Sequence, residues 1–436
     1  MGVAEVALAG YGDADAAVQG PSARGTFGVS GAGIKVGILS DSLNVLGGEA
    51  ADIAEGLLPA GGVTVLREGP AGATDEGRAL AQLVHATAPD AQLCFATAYA
   101  TPADYAASIT ALVAAGCRII LDDIAYPDEP FFQAAGPIAT ATAAAVAAGV
   151  DYFSAAGNEG DGFYQGAWPR GGGMTQSVTI PAYVPVTLAL QWDAPYEAAN
   201  PGTLSAVATG GGSSPVASYR VGNEPVALLD FPVANVTRTY RVTITQQPGT
   251  PTPTLFKDIL EGGGRFASSG SGVGSGSIFG QGVVPGVNAV GAVDVAQAAA
   301  PVAEPYSSTG PGTLLFAPDG TRLATPETLD VPSFLAPDGS TTSVFDPFYG
   351  TSAAAPVAAA VAALMLQARP DLGTGDVTAL LQDSATPAGA PSVAGAGLIN
   401  ADLALTFAQS GVIYGSPQTT VRGLALPCTL AGGAGA

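Results

Sequence analysis

Residues 34–42 read Ile-Lys-Val-Gly-Ile-Leu-Ser-Asp-Ser, an apolar run that ends abruptly in polar side chains. Apolar residues at successive positions, rather than at every second one, predict a strand buried on both faces, as in a parallel sheet. Helical and strand patterns then alternate along the chain. Residues 75–85 space their apolar positions for a helix with acids in its first turn. Residues 91–99, 117–126 and 150–155 read as further buried strands, with helices at 103–116 and 137–149 between them. The alternation predicts an α/β fold built on a doubly wound, mostly parallel sheet. From about 175 to 262 the helical period disappears. Short alternating runs split by Pro, Gly and Asn predict an inserted antiparallel β-module there, followed by a Gly- and Ser-rich return linker. The α/β pattern resumes near 286, and residues 350–372 predict a long helix of small side chains.

The expected organisation is an N-terminal arm (1–30), the main domain in two parts (31–174 and 263–408), the inserted module (175–262) and a C-terminal tail (409–436). Few contacts are expected across the linkers, so the module should be removable without unfolding the rest.

Composition narrows the function classes. Of 436 residues, 47% are hydrophobic, enough for a large core and too many for a disordered chain. Lys and Arg number 14 against 36 Asp and Glu, a formal charge of −22. Such a surface repels phosphate backbones and anionic membranes, which excludes nucleic acid and membrane as expected partners. Its self-repulsion falls as carboxylates protonate, which fits mildly acidic surroundings. No apolar run reaches the length of a transmembrane helix, and no basic leader precedes an apolar stretch at the start. The three cysteines, Cys94, Cys117 and Cys428, form neither a disulfide framework nor a metal-ligand cluster. Cys94 and Cys117 sit in apolar segments and read as buried thiols, with one disulfide as the alternative.

The candidate chemistry begins at Gly350-Thr351-Ser352-Ala353-Ala354-Ala355-Pro356, which opens the long helix. A Ser at a helix N-terminus faces unpaired N–H groups and the positive end of the dipole, a setting that favours an oxyanion on an attacked carbonyl. The plain alternative is that Thr351 or Ser352 merely caps the helix.

This segment resembles the nucleophile motif of the subtilisins, Gly-Thr-Ser-x-Ala-x-Pro, at every fixed position. Three further blocks resemble the same family in the same order: Val36 to Ser42, the strand ending in the catalytic Asp; Ser154 to Gly160, the block with the oxyanion-hole Asn; and Ala289 to Asp294 followed by Tyr306 to Gly310. The resemblance covers roughly 30–165 and 280–408. It implies a subtilisin-like fold, Ser352 as nucleophile, Asp41 as the residue that orients the base, and Asn158 as an oxyanion donor. One position departs. Where subtilisins carry His-Gly-Thr, this chain has Glu76-Gly77-Arg78, and its single histidine, His85, lies nine residues beyond Glu76. At about 100° per residue that is the opposite helix face, about 13 Å away along the axis. Glu76 in the place of His resembles the sedolisins, same-fold relatives with a Ser-Glu-Asp triad that work in acid. The sedolisin Asp four residues after the Glu is Leu80 here, and the sedolisin oxyanion Asp is Asn158, so the Asp of the triad is expected to be Asp41.

Asp122 and Asp123 follow a buried strand at the place where subtilisins line the specificity pocket. Acids there would bias a cleft toward basic side chains or tune Glu76, or would simply be solvated at an edge turn; Asp123 and Tyr126 are the candidate substrate-binding residues. Asn235-Val236-Thr237 fits a glycosylation sequon but reads as strand sequence. The resemblance makes calcium conceivable, but no calcium loop or other metal site is identifiable, and no cofactor is implied. The expected function is a secreted or extracytoplasmic, monomeric serine endopeptidase acting on polypeptides through an acyl-enzyme, most active in acid. The rival readings are an inactive subtilisin-fold module that binds proteins, and an acyltransferase or ligase of the same fold.

Overall fold

The computed structural model of the chain describes residues 9–267 and 276–410. Cys428 and nearly all of the C-terminal tail lie outside the described residues. The central sheet has seven strands: β1 (Lys35–Ser40), β2 (Thr64–Arg67), β3 (Gln92–Thr97), β4 (Ile119–Asp122), β5 (Asp151–Ala155), β6 (Val287–Asp294) and β7 (Phe334–Asp338). Their order is β7-β6-β5-β4-β1-β3-β2, and every neighbouring pair is parallel. The chain therefore winds from β1 to the β2 edge, returns as β3 beside β1, and crosses to β4 on the other side. The winding reverses between β1 and β4, and the crevice at the carboxyl ends of such strands is where an open α/β sheet offers a site.

Four helices matter for that site: α1 (Glu76–Thr87), α2 (Pro102–Ala114), α3 (Gly136–Ala147) and α4 (Thr351–Ala368). α2 and α3 cover one face, where Tyr105, Ile109, Leu112 and Ile138 pack on Leu39, Ile120 and Tyr152. α1 and α4 cover the other, where Leu80, Leu83 and Val84 join Ile38, Phe95, Leu121 and the small side chains of α4. Alanines at 353–355, 358–360, 362 and 363 are almost wholly buried. Small side chains let the α4 backbone approach the sheet closely while keeping high helix propensity. At 18 residues α4 is long and apolar enough to cross a membrane, which the sequence reading had not recognised, but here it is the core helix.

The predicted antiparallel module is present and begins earlier than position 175. Two five-stranded antiparallel sheets run from Phe163–Ala167 to Arg265–Phe266. They pack face to face around Val178, Leu188, Leu190, Trp192, Val242, Ile244 and Phe256, as alternating inward side chains dictate. The expectation of few contacts with the α/β part is not met. The outer face of one sheet carries Ala189, Val226, Leu228 and Ile259, which pack on Phe131, Phe132, Phe279, Leu315 and Phe316. The reason is local: the strand Leu255–Glu261 is buried on both faces, with Phe256 and Leu260 on one and Ile259 on the other, so its second face has a partner. A hairpin of Gly312–Phe316 and Arg322–Leu329, which the sequence reading had not resolved, supplies part of it.

Candidate active site

The reversal point gathers the acids. In the β1–β4 pairing Leu39 stands opposite Asp122, so the next residues, Ser40 and Asp123, are neighbours. Ser40 Oγ donates to Asp123 Oδ2 at 3.2 Å, while Asp123 Oδ1 is buried without a hydrogen-bond donor. Asp122 turns the other way: its Oδ1 accepts from Ser154 Oγ at 2.7 Å and from Gln281 Nε2 at 3.1 Å. Burial raises the Asp122 carboxyl to about 6, against the lowering effect of Gln281 and Ser154.

Asp41, one residue beyond β1, anchors the start of α1. Its carboxylate accepts the backbone N–H of Ser42 and of Thr74, the Thr74 hydroxyl at 2.7 Å and the Glu76 N–H at 3.0 Å. It thus holds the backbone rather than the carboxyl of Glu76, close enough for its charge to be felt there. Asp75, with φ +60, turns the chain into the helix in the left-handed region and is fixed by Ser42, Val45, Leu46 and Arg78. Such strain persists only where the surroundings over-determine it. Gly77 is needed by close approach, since a Cβ there would stand 2.4 Å from the Phe95 ring and 2.7 Å from the Ser42 oxygen.

These constraints leave the Glu76 carboxyl with the Asp123 carboxyl and the Ser352 hydroxyl among its neighbours. Burial, then the Asp41 charge, raise its proton affinity; the contacts with Asp123 and Ser352 lower it. The Asp123 carboxyl is pushed well above the ordinary range by burial and then by the Glu76 charge. Two neighbouring carboxyls cannot both ionise cheaply, which favours one proton shared between them.

Ser352 lies in the first turn of α4, behind Gly350, whose φ of +116 is open to glycine but strained for other residues. The Gly350 N–H donates to Asp338 Oδ2 at 2.9 Å, and Tyr306 donates its hydroxyl to the same oxygen. Asn158 Oδ1 accepts from Thr351 N at 3.0 Å and Thr351 Oγ1 at 3.2 Å, and Thr351 Oγ1 accepts from Gly157 N at 3.1 Å. With its oxygen committed, Asn158 presents Nδ2 as a donor, and the first-turn N–H of Ser352 has no acceptor at i−4 within the helix. Asn158 and Ser352 line the same cavity. The arrangement can hold an acceptor oxygen beside a hydroxyl that has a carboxyl within reach.

That cavity, about 280 Å³, is lined by Tyr99, Asp123, Ile124, Ala125, Glu159, Glu261, Phe279 and Ser352 among others. Tyr126 is not in its wall; its hydroxyl donates to Ala98 O at 2.8 Å, and the exposed Tyr99 stands at the cavity instead. Asp122 and Asp123 are not solvated edge acids: Asp122 is buried against Ser154 and Gln281, and Asp123 accepts from Ser40 and lines the cavity. His85 is in the last turn of α1 and lines a separate pocket with Lys35 and Cys94, its Nδ1 buried without a partner. Cys94 and Cys117 are buried free thiols. Among the described residues no group of three or more His, Cys, Asp or Glu side chains is arranged to hold a metal. The sequence reading missed Glu159 and Glu261 as cavity residues. Glu159 follows Asn158 directly, a usable signal; Glu261 gave none, because its strand was read as part of a separate module.

No curated protein matches the chain in sequence. Among solved structures it is similar to the CspB protease of Clostridium perfringens, with a TM-score of 0.59 and 14% identity over 91% of this chain and 97% of that one. A lanthipeptide protease (TM-score 0.47, 14% identity, 93% and 98% covered) and MycP1 from the ESX-1 type VII secretion system (0.43, 16%, 90% and 85%) are also similar. At these identities the first likeness speaks for the fold alone. The model of the subtilase family matches residues 69–397, which takes in both Glu76 and Ser352. The chain belongs to the subtilase family of serine peptidases.

Proposed function

We propose that this subtilase is an endopeptidase that cleaves polypeptides through an acyl-enzyme, with Ser352 as nucleophile, Glu76 as its base, and a working range in acid. What supports the reading is that the buried Glu76 carboxyl has the Ser352 hydroxyl and the Asp123 carboxyl as neighbours, at the helix start that Asp41 fixes. Glu76 takes the Ser352 proton as Oγ bonds to the substrate carbonyl carbon, and the carbonyl electron pair moves onto oxygen. Asn158 Nδ2 and the Ser352 N–H donate to that oxyanion. Collapse expels the amine, which leaves with the proton returned by Glu76. Water then repeats the sequence on the ester, freeing the acid and Ser352.

A lone glutamate, at a free value of about 4.3, is a weak base for a hydroxyl. Burial and the fixed Asp41 charge raise it. Asp123 keeps the pair's shared proton, leaving Glu76 as the ionised member. In this arrangement the Asp of a Ser-Glu-Asp set is shared between two residues: Asp41 fixes the helix start and Asp123 holds the proton. Activity falls when the pair gains its second proton at low pH and when it loses its last one at high pH, so the optimum lies in acid, roughly pH 3–6. Action outside the cytoplasm goes with an acid working range.

The test is digestion of an unfolded polypeptide across pH 3–8 with Ser352→Ala as control. Internal fragments that appear only with the intact chain, and chiefly below pH 6, are expected. Fragments produced equally by Ser352→Ala would end the reading.

A further inference from the structure

The cavity at Ser352 has two parents. The α/β part supplies Asp123, Ile124, Ala125 and Glu159; the β-sandwich supplies Glu261 and Gly262. Glu261 ends the strand Leu255–Glu261 and pairs with Thr187 of the next strand, which fixes its side chain toward the cavity. Its Oε1 is buried without a hydrogen-bond partner. Glu159 is tethered by Ser308, whose Oγ donates to Oε2 at 3.0 Å. No Lys, Arg or His is among the residues lining the cavity. The cation on the same strand, Lys257, is buried and donates to Gly276 O at 2.8 Å over the Phe132 ring.

A buried carboxyl oxygen without a donor costs free energy until something supplies one. A guanidinium or ammonium supplies several at once, and with charge. Ile124, Ala125, Ala156 and Phe279 line the same cavity as the two acids. A cavity lined by both apolar groups and carboxyls fits a long methylene stem with a cationic head. Ser352 and Asn158 also line this cavity, so a substrate whose carbonyl sits between them brings the side chain of that same residue to it.

We propose that Glu159 and Glu261 make this cavity a pocket for arginine or lysine, and that the β-sandwich, through Glu261, sets which peptide bonds are cleaved. The proposal rests on Ser352 as nucleophile for its placement of the scissile bond, but the binding preference is measurable without turnover.

The same groups give the preference a pH signature. Burial raises Glu159 to about 7, while burial and then the Glu159 and Asp128 charges hold Glu261 well above its ordinary value. Asp123, with Glu76 beyond it, also faces the cavity. The empty pocket therefore holds protons that an entering cation displaces, and the preference for a cation grows as pH rises.

The test uses calorimetry of Ser352→Ala with acetylated tetrapeptides ending in Arg, Leu or Glu, at pH 5 and pH 7.5. At pH 7.5 the Arg peptide should bind about tenfold or more tighter than the Leu peptide, as expected of a buried charge-assisted contact. The advantage should shrink at pH 5. Repeating the titration in buffers of different ionisation enthalpy should reveal proton release with the Arg peptide alone. Glu261→Gln, and independently Glu159→Gln, should remove most of the Arg-over-Leu advantage. Equal binding of the Arg and Leu peptides at pH 7.5, or tighter binding of the Glu peptide, overturns the proposal. Fluorophosphonate labelling of the wild-type chain separates the two failures: labelled Ser352 without an arginine preference refutes the pocket alone, and an arginine preference without labelling refutes the nucleophile alone.

Discussion

Asp123 and Glu76 reach the same point from different elements, and their opposition gives the residue-scale account its sharpest consequence. If Asp123 holds the shared proton, Asn at that position imitates its protonated form. Asp123→Asn should keep activity at the optimum within about tenfold while the alkaline limb of the pH profile moves up by at least about one unit. An unchanged profile would show that Asp123 does not titrate with the base. Asn158→Ala should lower kcat by about 100- to 1000-fold with little change in KM, the usual loss for one oxyanion donor. His85→Ala should leave activity unaltered, since His85 lines another pocket. At this scale the sequence was half legible. Ser352, Asn158, Asp41 and Glu76 could be named because each sits in a contiguous motif. Asp123 beside Glu76 was only one of three readings open for the acids after β4, because the choice depends on which strands are neighbours, and β1 and β4 are 79 positions apart between Ser40 and Ile119.

At the scale of elements, the site depends on two backbone positions that only glycine suits. Gly350→Ala would force a side chain onto φ +116 and place a Cβ 3.5 Å from Asn158 Nδ2. The expected result is a loss of about 1–3 kcal/mol of stability, read from denaturant unfolding, together with a fall in kcat. The parallel strands and α4 were readable from apolar runs and small-residue periodicity. The β-sandwich was readable as a type of structure, yet its attachment was not: alternation marks one buried face, and nothing in it says that the strand Leu255–Glu261 buries a second. That second face changes the expectation for a deletion. Removing 163–266 would expose Phe131, Phe132, Phe279, Leu315 and Phe316. The truncated chain should aggregate or bind a hydrophobic dye strongly. A soluble, dye-silent product with native thermal unfolding would contradict the interface.

Over the whole molecule, buried acids couple folding to pH. Burial raises Asp122 and Asp151 to about 6, Glu159 to about 7 and Glu129 to about 8. In the unfolded chain these groups titrate near 4. Between about pH 4 and 8 the folded state thus binds more protons than the unfolded one, and stability falls as pH rises through that window. The formal charge of −22 adds self-repulsion in the same direction. Tm should be highest near pH 4–5 and decline steadily toward pH 8. A Tm that climbs from pH 5 to 8 would mean that these carboxyls are ionised at no cost in the fold. An acid-stable fold and an acid-working carboxylate base are thus consistent with each other on separate grounds.

The central claim is that a carboxylate, Glu76, activates Ser352. The most direct measurement is the rate of Ser352 labelling by a fluorophosphonate across pH 3–8, in the wild-type chain and in Glu76→Gln. The wild type should label fastest in acid, and Glu76→Gln, which keeps the shape and removes the base, should label at least about 100-fold more slowly at the wild-type optimum while melting at the wild-type temperature. Labelling of Glu76→Gln at the wild-type rate would contradict the account and remove Glu76 from the chemistry.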